Sequence, residues 1–121
     1  MINEEKKSFL QQAIKWIQKK PITNLRSVAE GYEDPRSFYH KQSKADIKPD
    51  ITIETPRGIK HYTEIAMKSE NPQILVTKWK LLSMLAAMKR GNLYLLAPKG
   101  HKLFTQRLVK KYNINALVYS L

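Results

Sequence analysis

Phe9, Leu10, Ala13, Ile14 and Ile17 recur at spacings of three and four, which predicts an amphipathic helix over residues 4–19, widened by Trp16 and stopped by Pro21. Glu4 and Glu5 at its start and Lys19 and Lys20 at its end suit the helix dipole. Thr23 to Glu30 reads as a short helix closing at Gly31, Glu33-Asp34-Pro35 as a turn, and Ser37 to Lys48 has no clear period. From Asp50 the period falls to two. Ile51 and Ile53 alternate with Asp50, Thr52 and Glu54, Pro56-Arg57-Gly58 turns the chain, and residues 59–68 alternate again with Tyr62, Glu64 and Ala66 on one side. This pattern predicts a β-hairpin.

Asn71-Pro72 then looks like a cap and first residue of a long helix over 72–90, with Ile74, Leu75, Trp79, Leu82, Leu85, Ala86 and Met88 on its buried side. Lys89-Arg90-Gly91 supplies a basic last turn and a stop. Leu93-Tyr94-Leu95-Leu96 is a run suited to a strand covered on both faces. Residues 101–112 place Phe104, Leu108 and Tyr112 on one helical stripe, and Ala116 to Tyr119 makes a last strand. A strand, a helix and a strand in so short a span imply a parallel crossover. The expected fold class is α/β, a mixed sheet flanked by helices, in a single domain over 1–121.

Composition adds a partner. There are 22 Lys+Arg against 10 Asp+Glu, a formal charge of +12, on a chain of 121 residues with 42% hydrophobic content. A polyanion is the first expectation, and nucleic acid, DNA before RNA, is the leading one; lysines that only solubilise the surface are the competing account. Lys78, Lys80, Lys89, Arg90, Lys99 and Lys102, with Arg107, Lys110 and Lys111, are the candidate phosphate contacts. A basic chain this small has little surface with which to hold a duplex, so a homodimer is the expected assembly. No cysteine is present, which excludes a disulfide framework, a thiolate zinc site and a cysteine nucleophile. Short apolar runs and the start Met1-Ile2-Asn3-Glu4-Glu5-Lys6-Lys7 match neither a membrane span nor a secretion signal, so the expected location is cytoplasmic.

The chemistry is concentrated in Lys48-Pro49-Asp50-Ile51-Thr52-Ile53-Glu54 and Tyr62-Thr63-Glu64-Ile65-Ala66-Met67-Lys68, the two strands of the hairpin. Carboxylates on adjacent strands, which lie only about 5 Å apart, can converge on one divalent cation. The arrangement resembles the PD-(D/E)xK nuclease superfamily, in which a Pro-Asp opens one strand, an acid sits on its neighbour, and a lysine follows two positions later. Pro49-Asp50 and Glu64, with 13 residues between the two acids, match the first two features, and the flanking helices follow the family's order. The resemblance implies a restriction endonuclease-like core, close to the small Holliday-junction-resolvase-like members. It implies magnesium or manganese held by Asp50, Glu64 and the carbonyl of Ile65, and phosphodiester hydrolysis with DNA as substrate.

The lysine departs from the pattern. Ala66 stands where the ammonium belongs, and the nearest downstream lysine is Lys68, on the same strand face but roughly 13 Å along from Glu64 instead of about 7 Å. Asp50, Glu64 and Lys68 are therefore the candidate catalytic set, with Lys78 or Lys80 of the long helix as other sources of the ammonium. If none serves, the chain is a pseudo-nuclease that binds DNA, RNA or a protein without chemistry. In some members of the superfamily the first helix adds a glutamate, for which Glu4, Glu5 and Glu30 are candidates; Glu54 shares the face of Asp50. His40, His61 and His101 lack metal-site spacing, Pro98-Lys99-Gly100-His101 could lend amides to a phosphate, and Trp16 and Trp79 sit on apolar stripes.

Overall fold

Alternating apolar positions need a partner on each face of a sheet, and the computed structural model, which describes residues 4–42 and 44–121, supplies one to each face. Met1, Ile2 and Asn3, part of the N-terminal reading, and Ser43, inside the unassigned stretch, lie outside the described residues. The elements run α1 (Glu4–Ile17), β1 (Asn24–Ser27), β2 (Phe38–His40), β3 (Ala45–Ile47), β4 (Ile51–Glu54), β5 (Lys60–Ile65), α2 (Pro72–Met88), β6 (Leu93–Ala97), α3 (Lys102–Lys111) and β7 (Leu117–Ser120). The main sheet has the order β1-β4-β5-β6-β7, and β2 and β3 pair separately. β1, β4 and β5 are antiparallel neighbours, while β5, β6 and β7 are parallel, joined through α2 and α3. The fold is thus a mixed α/β sheet flanked by helices.

Strand parity sorts the core into two layers. Ile51, Ile53, Ile65 and Leu96 meet Leu10, Ala13, Ile14 and Ile17 of α1 on one face. Tyr62, Ala66, Leu93, Leu95 and Ala97 meet Val76, Trp79, Leu82 and Ala86 of α2 and Leu108 of α3 on the other. Every residue of β6 is buried, as a strand covered on both sides requires. Among the described residues, no helix is long and apolar enough to cross a membrane.

Several local expectations give way to tertiary constraints. Thr23 to Glu30 contains strand β1 in place of a helix, because pairing with β4 satisfies backbone groups that β4 would otherwise expose on that side. The turn falls at Glu30-Gly31, where Gly31 takes φ +91°, and not at Glu33-Asp34-Pro35. Within 37–48, β2 and β3 pair antiparallel, and Ile47 joins the α2 core. Strand β5 ends at Ile65, short of Lys68. On α2, Ile74 and Met88 are exposed and Val76 is buried, since the buried stripe runs 76, 79, 82 and 86. Asn71 caps through its backbone carbonyl, which accepts from the Ile74 N–H at 3.2 Å, and its side chain makes no cap bond.

Helix α2 ends with Arg90, not Gly91, in the left-handed region at φ +63°. The Arg90 N–H donates to the Ala87 carbonyl and the Gly91 N–H to the Ala86 carbonyl, the paired closure of a Schellman motif. Gly91 is needed for a different reason: a Cβ there would overlap the backbone carbonyl of Lys60 on β5. Replacing Gly91 with Ala must push β5 away from the end of α2. The expected cost is about 1–3 kcal/mol, a fall of several degrees in Tm by thermal denaturation. An unchanged Tm would show that the approach is looser than described.

Candidate functional site

Asp50 and Glu64 face each other one step beyond the last paired residues of the hairpin, Ile51 and Thr63. Each carboxylate is held by the other strand's backbone. The Asp50 N–H donates to Glu64 Oε2 at 2.7 Å, and the Ile65 N–H donates to Asp50 Oδ2 at 2.9 Å. That reciprocal brace leaves one oxygen on each group, and each meets an ammonium: Lys6 Nζ of α1 lies 2.7 Å from Asp50 Oδ1, and Lys78 Nζ of α2 lies 2.8 Å from Glu64 Oε1. Both carboxylates are only 4% exposed, against 30% for Lys6 and 24% for Lys78. A buried quartet of two anions and two cations results, with hydrogen bonds on all four carboxylate oxygens.

The sequence explains the placement. Tyr62 and Ala66 share the strand face of Glu64 and pack under α2, so Glu64 points toward the same helix and meets Lys78, the residue before the buried Trp79. Lys6 lies one turn before Leu10, the first buried residue of α1. The cleft above Asp50, about 600 Å³, is lined by Lys6, Lys7, Lys48 and Lys78 as well as Glu30 and Asp34. Its position near the carboxyl end of β5 is where open α/β sheets commonly hold ligands.

Burial chiefly, then the neighbouring Asp50, pushes the Glu64 carboxyl up to about 7 against the pull of Lys78. Burial opposes the charge on Lys78, but the Glu64 and Asp50 carboxylates outweigh it and raise the ammonium above its ordinary value. The two directions express one fact: Glu64 is costly to ionise in this position, and Lys78 is the cation that makes ionisation feasible.

Of the expected catalytic set, Asp50 and Glu64 come together and Lys68 does not join them. Lys68 lies past the end of β5, its backbone N–H donating to His101 Nδ1 at 2.9 Å, and it lines another cleft with Lys102 and Arg107. Lys80 lies 5.9 Å over the Tyr112 ring instead of at Glu64. Ala66 is fully buried under α2, so the position two residues after Glu64 has no room for a lysine. Ile65 enters the site through its N–H. Glu4 and Glu5 are exposed on α1, which sends Lys6 to Asp50 where a glutamate was the expectation, while Glu30 lines the cleft. Glu54 lies at the far end of β4, paired in register with Lys60. Lys6 is the participant that strand spacing could not indicate, although its place one turn before the apolar stripe of α1 was visible.

The remaining candidates scatter. Lys89 lies at the end of α2, the Arg90 guanidinium donates to the Arg57 carbonyl at 3.1 Å, and Lys99 is exposed in the turn before α3. His61 accepts from the Asn92 N–H through Nδ1 at 3.0 Å, a packing role, and Trp79 is core. Asp50 Oδ1 and Glu64 Oε1 are the donors a hard divalent cation would use, provided the ammoniums withdraw. Among the described residues, no cluster of three or more acidic, His or Cys side chains adds to them, so water and phosphate would complete the shell.

A carboxyl whose folded pKa is raised holds its proton more tightly when folded, so its contribution to stability is complete below 4.5 and lost as pH rises through about 7. Unfolding free energy should therefore decline across that window in metal-free buffer, and Glu64→Gln should flatten the decline in urea titrations at pH 5, 6 and 7.5. Equal slopes in the two proteins would remove Glu64 as the titrating group.

No family model matches the chain, and no curated protein or solved structure matches it either.

Proposed function

We propose that the protein is a nucleic-acid-binding nuclease of the PD-(D/E)xK kind, in which Asp50 and Glu64 hold magnesium or manganese and Lys78 replaces the strand lysine. The observation that carries this is the ammonium of Lys78 at 2.8 Å from Glu64, opposite Asp50, beside a strand whose own motif position is Ala66. A helix lysine thus reaches the neighbourhood where the family uses a strand lysine. When bound, the divalent ion supplies polarisation of the phosphodiester and a lowered pKa for water.

The chain's own residues do the rest. Lys78 orients the attacking water and offsets the charge that builds on the phosphate as the phosphorus–oxygen bond to the leaving strand breaks. Lys6 pairs with the buried Asp50 until substrate arrives. Lys7 and Lys48 at the mouth of the cleft draw the backbone in. One observation favours the second reading, a pseudo-nuclease that binds without cutting: the quartet is neutral and fully hydrogen-bonded without a cation, because the two ammoniums already meet the two outward oxygens.

Cleavage assays on duplex, single-stranded and branched DNA with magnesium or manganese separate the two. For the active enzyme, Asp50→Asn and Glu64→Gln should abolish cutting, and Lys78→Met should lower it roughly 10²–10⁴-fold. Lys68→Ala should leave the rate within about a factor of three, well under that loss. Binding without cutting by the wild type supports the pseudo-nuclease. If neither binding nor cutting occurs at about 50 mM salt, where phosphate contacts are strong, the nucleic-acid reading falls altogether.

Two further measurements are diagnostic. Affinity for duplex DNA should fall with salt with a log–log slope of roughly −0.9 per phosphate contact, and Lys7→Ala with Lys48→Ala should make that slope shallower by up to about 2. Manganese should raise Tm more at pH 8 than at pH 5, since Glu64 must release its proton to bind the ion. A metal shift independent of pH would place the ion elsewhere.

A further inference from the structure

Strand β4 carries Asp50 just before its first residue, and about 13 Å away, at Glu54, it borders a second cavity of about 320 Å³. Four cations line it: Arg26 from β1, Arg36 from the segment before β2, Lys60 from β5 and Lys89 after α2. One carboxylate, Glu54, lines it with them. Among the described residues, the side chains of Lys60 and Lys89 form no ion pair, and Arg26 reaches Glu33 only at 3.8 Å, beyond hydrogen-bond distance. Four elements distant in sequence thus bring a surplus of three positive charges to one concavity. Like charges lining one concavity repel, and an anion between them relieves the repulsion.

The other wall is apolar. Phe38, Tyr62, Leu85 and Met88 form it, with the Phe38 and Tyr62 rings edge to face at 6.1 Å. The Arg36 guanidinium lies 5.7 Å from the Phe38 ring centre, within cation–π range, and Arg36 also lines the cavity. Met88 is 72% exposed, an apolar surface that a flat ring would cover. Thr52 also lines the cavity, and its buried Oγ1 has no hydrogen-bond partner among the described residues.

We propose that this cavity binds a nucleotide, its phosphate among Arg36, Lys60 and Lys89 and its base against Phe38 and Met88. Glu54 accepts from an exocyclic amino group, which favours adenine, cytosine or guanine over uracil or thymine. The volume lies at the lower end for small-molecule pockets and suits one nucleotide. The site does not depend on metal chemistry at Asp50, and it stands or falls separately from that reading. A free nucleotide and one residue of a longer strand would present the same chemistry.

The test is an amide-shift titration of the whole chain with AMP, UMP, inorganic phosphate and a 5′-phosphorylated tetra-adenylate at low salt. AMP should move the amides of Phe38, Thr52, Lys60 and Lys89 and bind at least about tenfold more tightly than phosphate, with UMP weaker than AMP. The Arg36→Ala, Lys60→Ala double variant should weaken AMP about tenfold or more, and Lys68→Ala, outside this cavity, should not change it. If the double variant unfolds, Arg36→Ala alone, at an exposed side chain, serves with the same sign. Equal affinities for AMP and the tetranucleotide indicate a free nucleotide, and a clear preference for the tetranucleotide indicates a strand. Shifts confined to the Asp50 cleft, phosphate binding as tightly as AMP, or no saturation at millimolar AMP would overturn the proposal.

Discussion

Two carboxylates held out of water by each other's backbone define this molecule. The Asp50 N–H to Glu64 and the Ile65 N–H to Asp50 join the edges of β4 and β5 just where their ladder ends, so the hairpin closes through side chains when backbone pairing stops. Burying two anions side by side would be prohibitive without compensation, and removing one partner from such a group commonly costs about 3–5 kcal/mol. The compensation comes from both helices that cover the sheet. Lys6 anchors α1 and Lys78 anchors α2 to the same spot, so a local electrostatic demand helps to set where two helices lie.

That demand also explains the alanine. A lysine two residues after Glu64 would point into the layer formed by Val76, Trp79 and Leu82, where Ala66 is fully buried. With that space occupied by core, the positive charge has to come from the covering helix. An ammonium on α2 reaches Glu64 from above the sheet, and its stem crosses apolar surface on the way, as long lysine side chains readily do.

The remaining positive charge is distributed in two directions. At the Asp50 end, Lys6, Lys7, Lys48 and Lys78 ring a cleft that also contains acids, so its field is mixed. At the Glu54 end, four cations meet one acid beside an aromatic wall. The two ends are separated by the length of one short strand, with the β2–β3 hairpin contributing Phe38 to the second. The net charge of +12 is therefore structured into distinct concavities as well as spread over exposed helix faces.

The hairpin, α1, α2, β6, α3 and β7 were legible from the sequence, because the hairpin and the helices carry apolar residues at period two or 3.6 and the last two strands are short continuous apolar runs. So was the pair of acids, since strand alternation puts Asp50 and Glu64 on one face and the short turn at Pro56-Arg57-Gly58 brings them level. Strand β1 was not, because Asn24-Leu25-Arg26-Ser27 has no pattern of its own and becomes a strand only by pairing with β4. Nor was the identity of the ammonium: Lys68 is close to Glu64 along the chain, while Lys78 is 14 residues away and Lys6 is 58, and only the packing of α1 and α2 brings these two within 3 Å of the acids. Periodicity reports which face of an element is buried. Where two elements cross, and which charged side chain arrives there, depends on helix placement that only long-range packing decides.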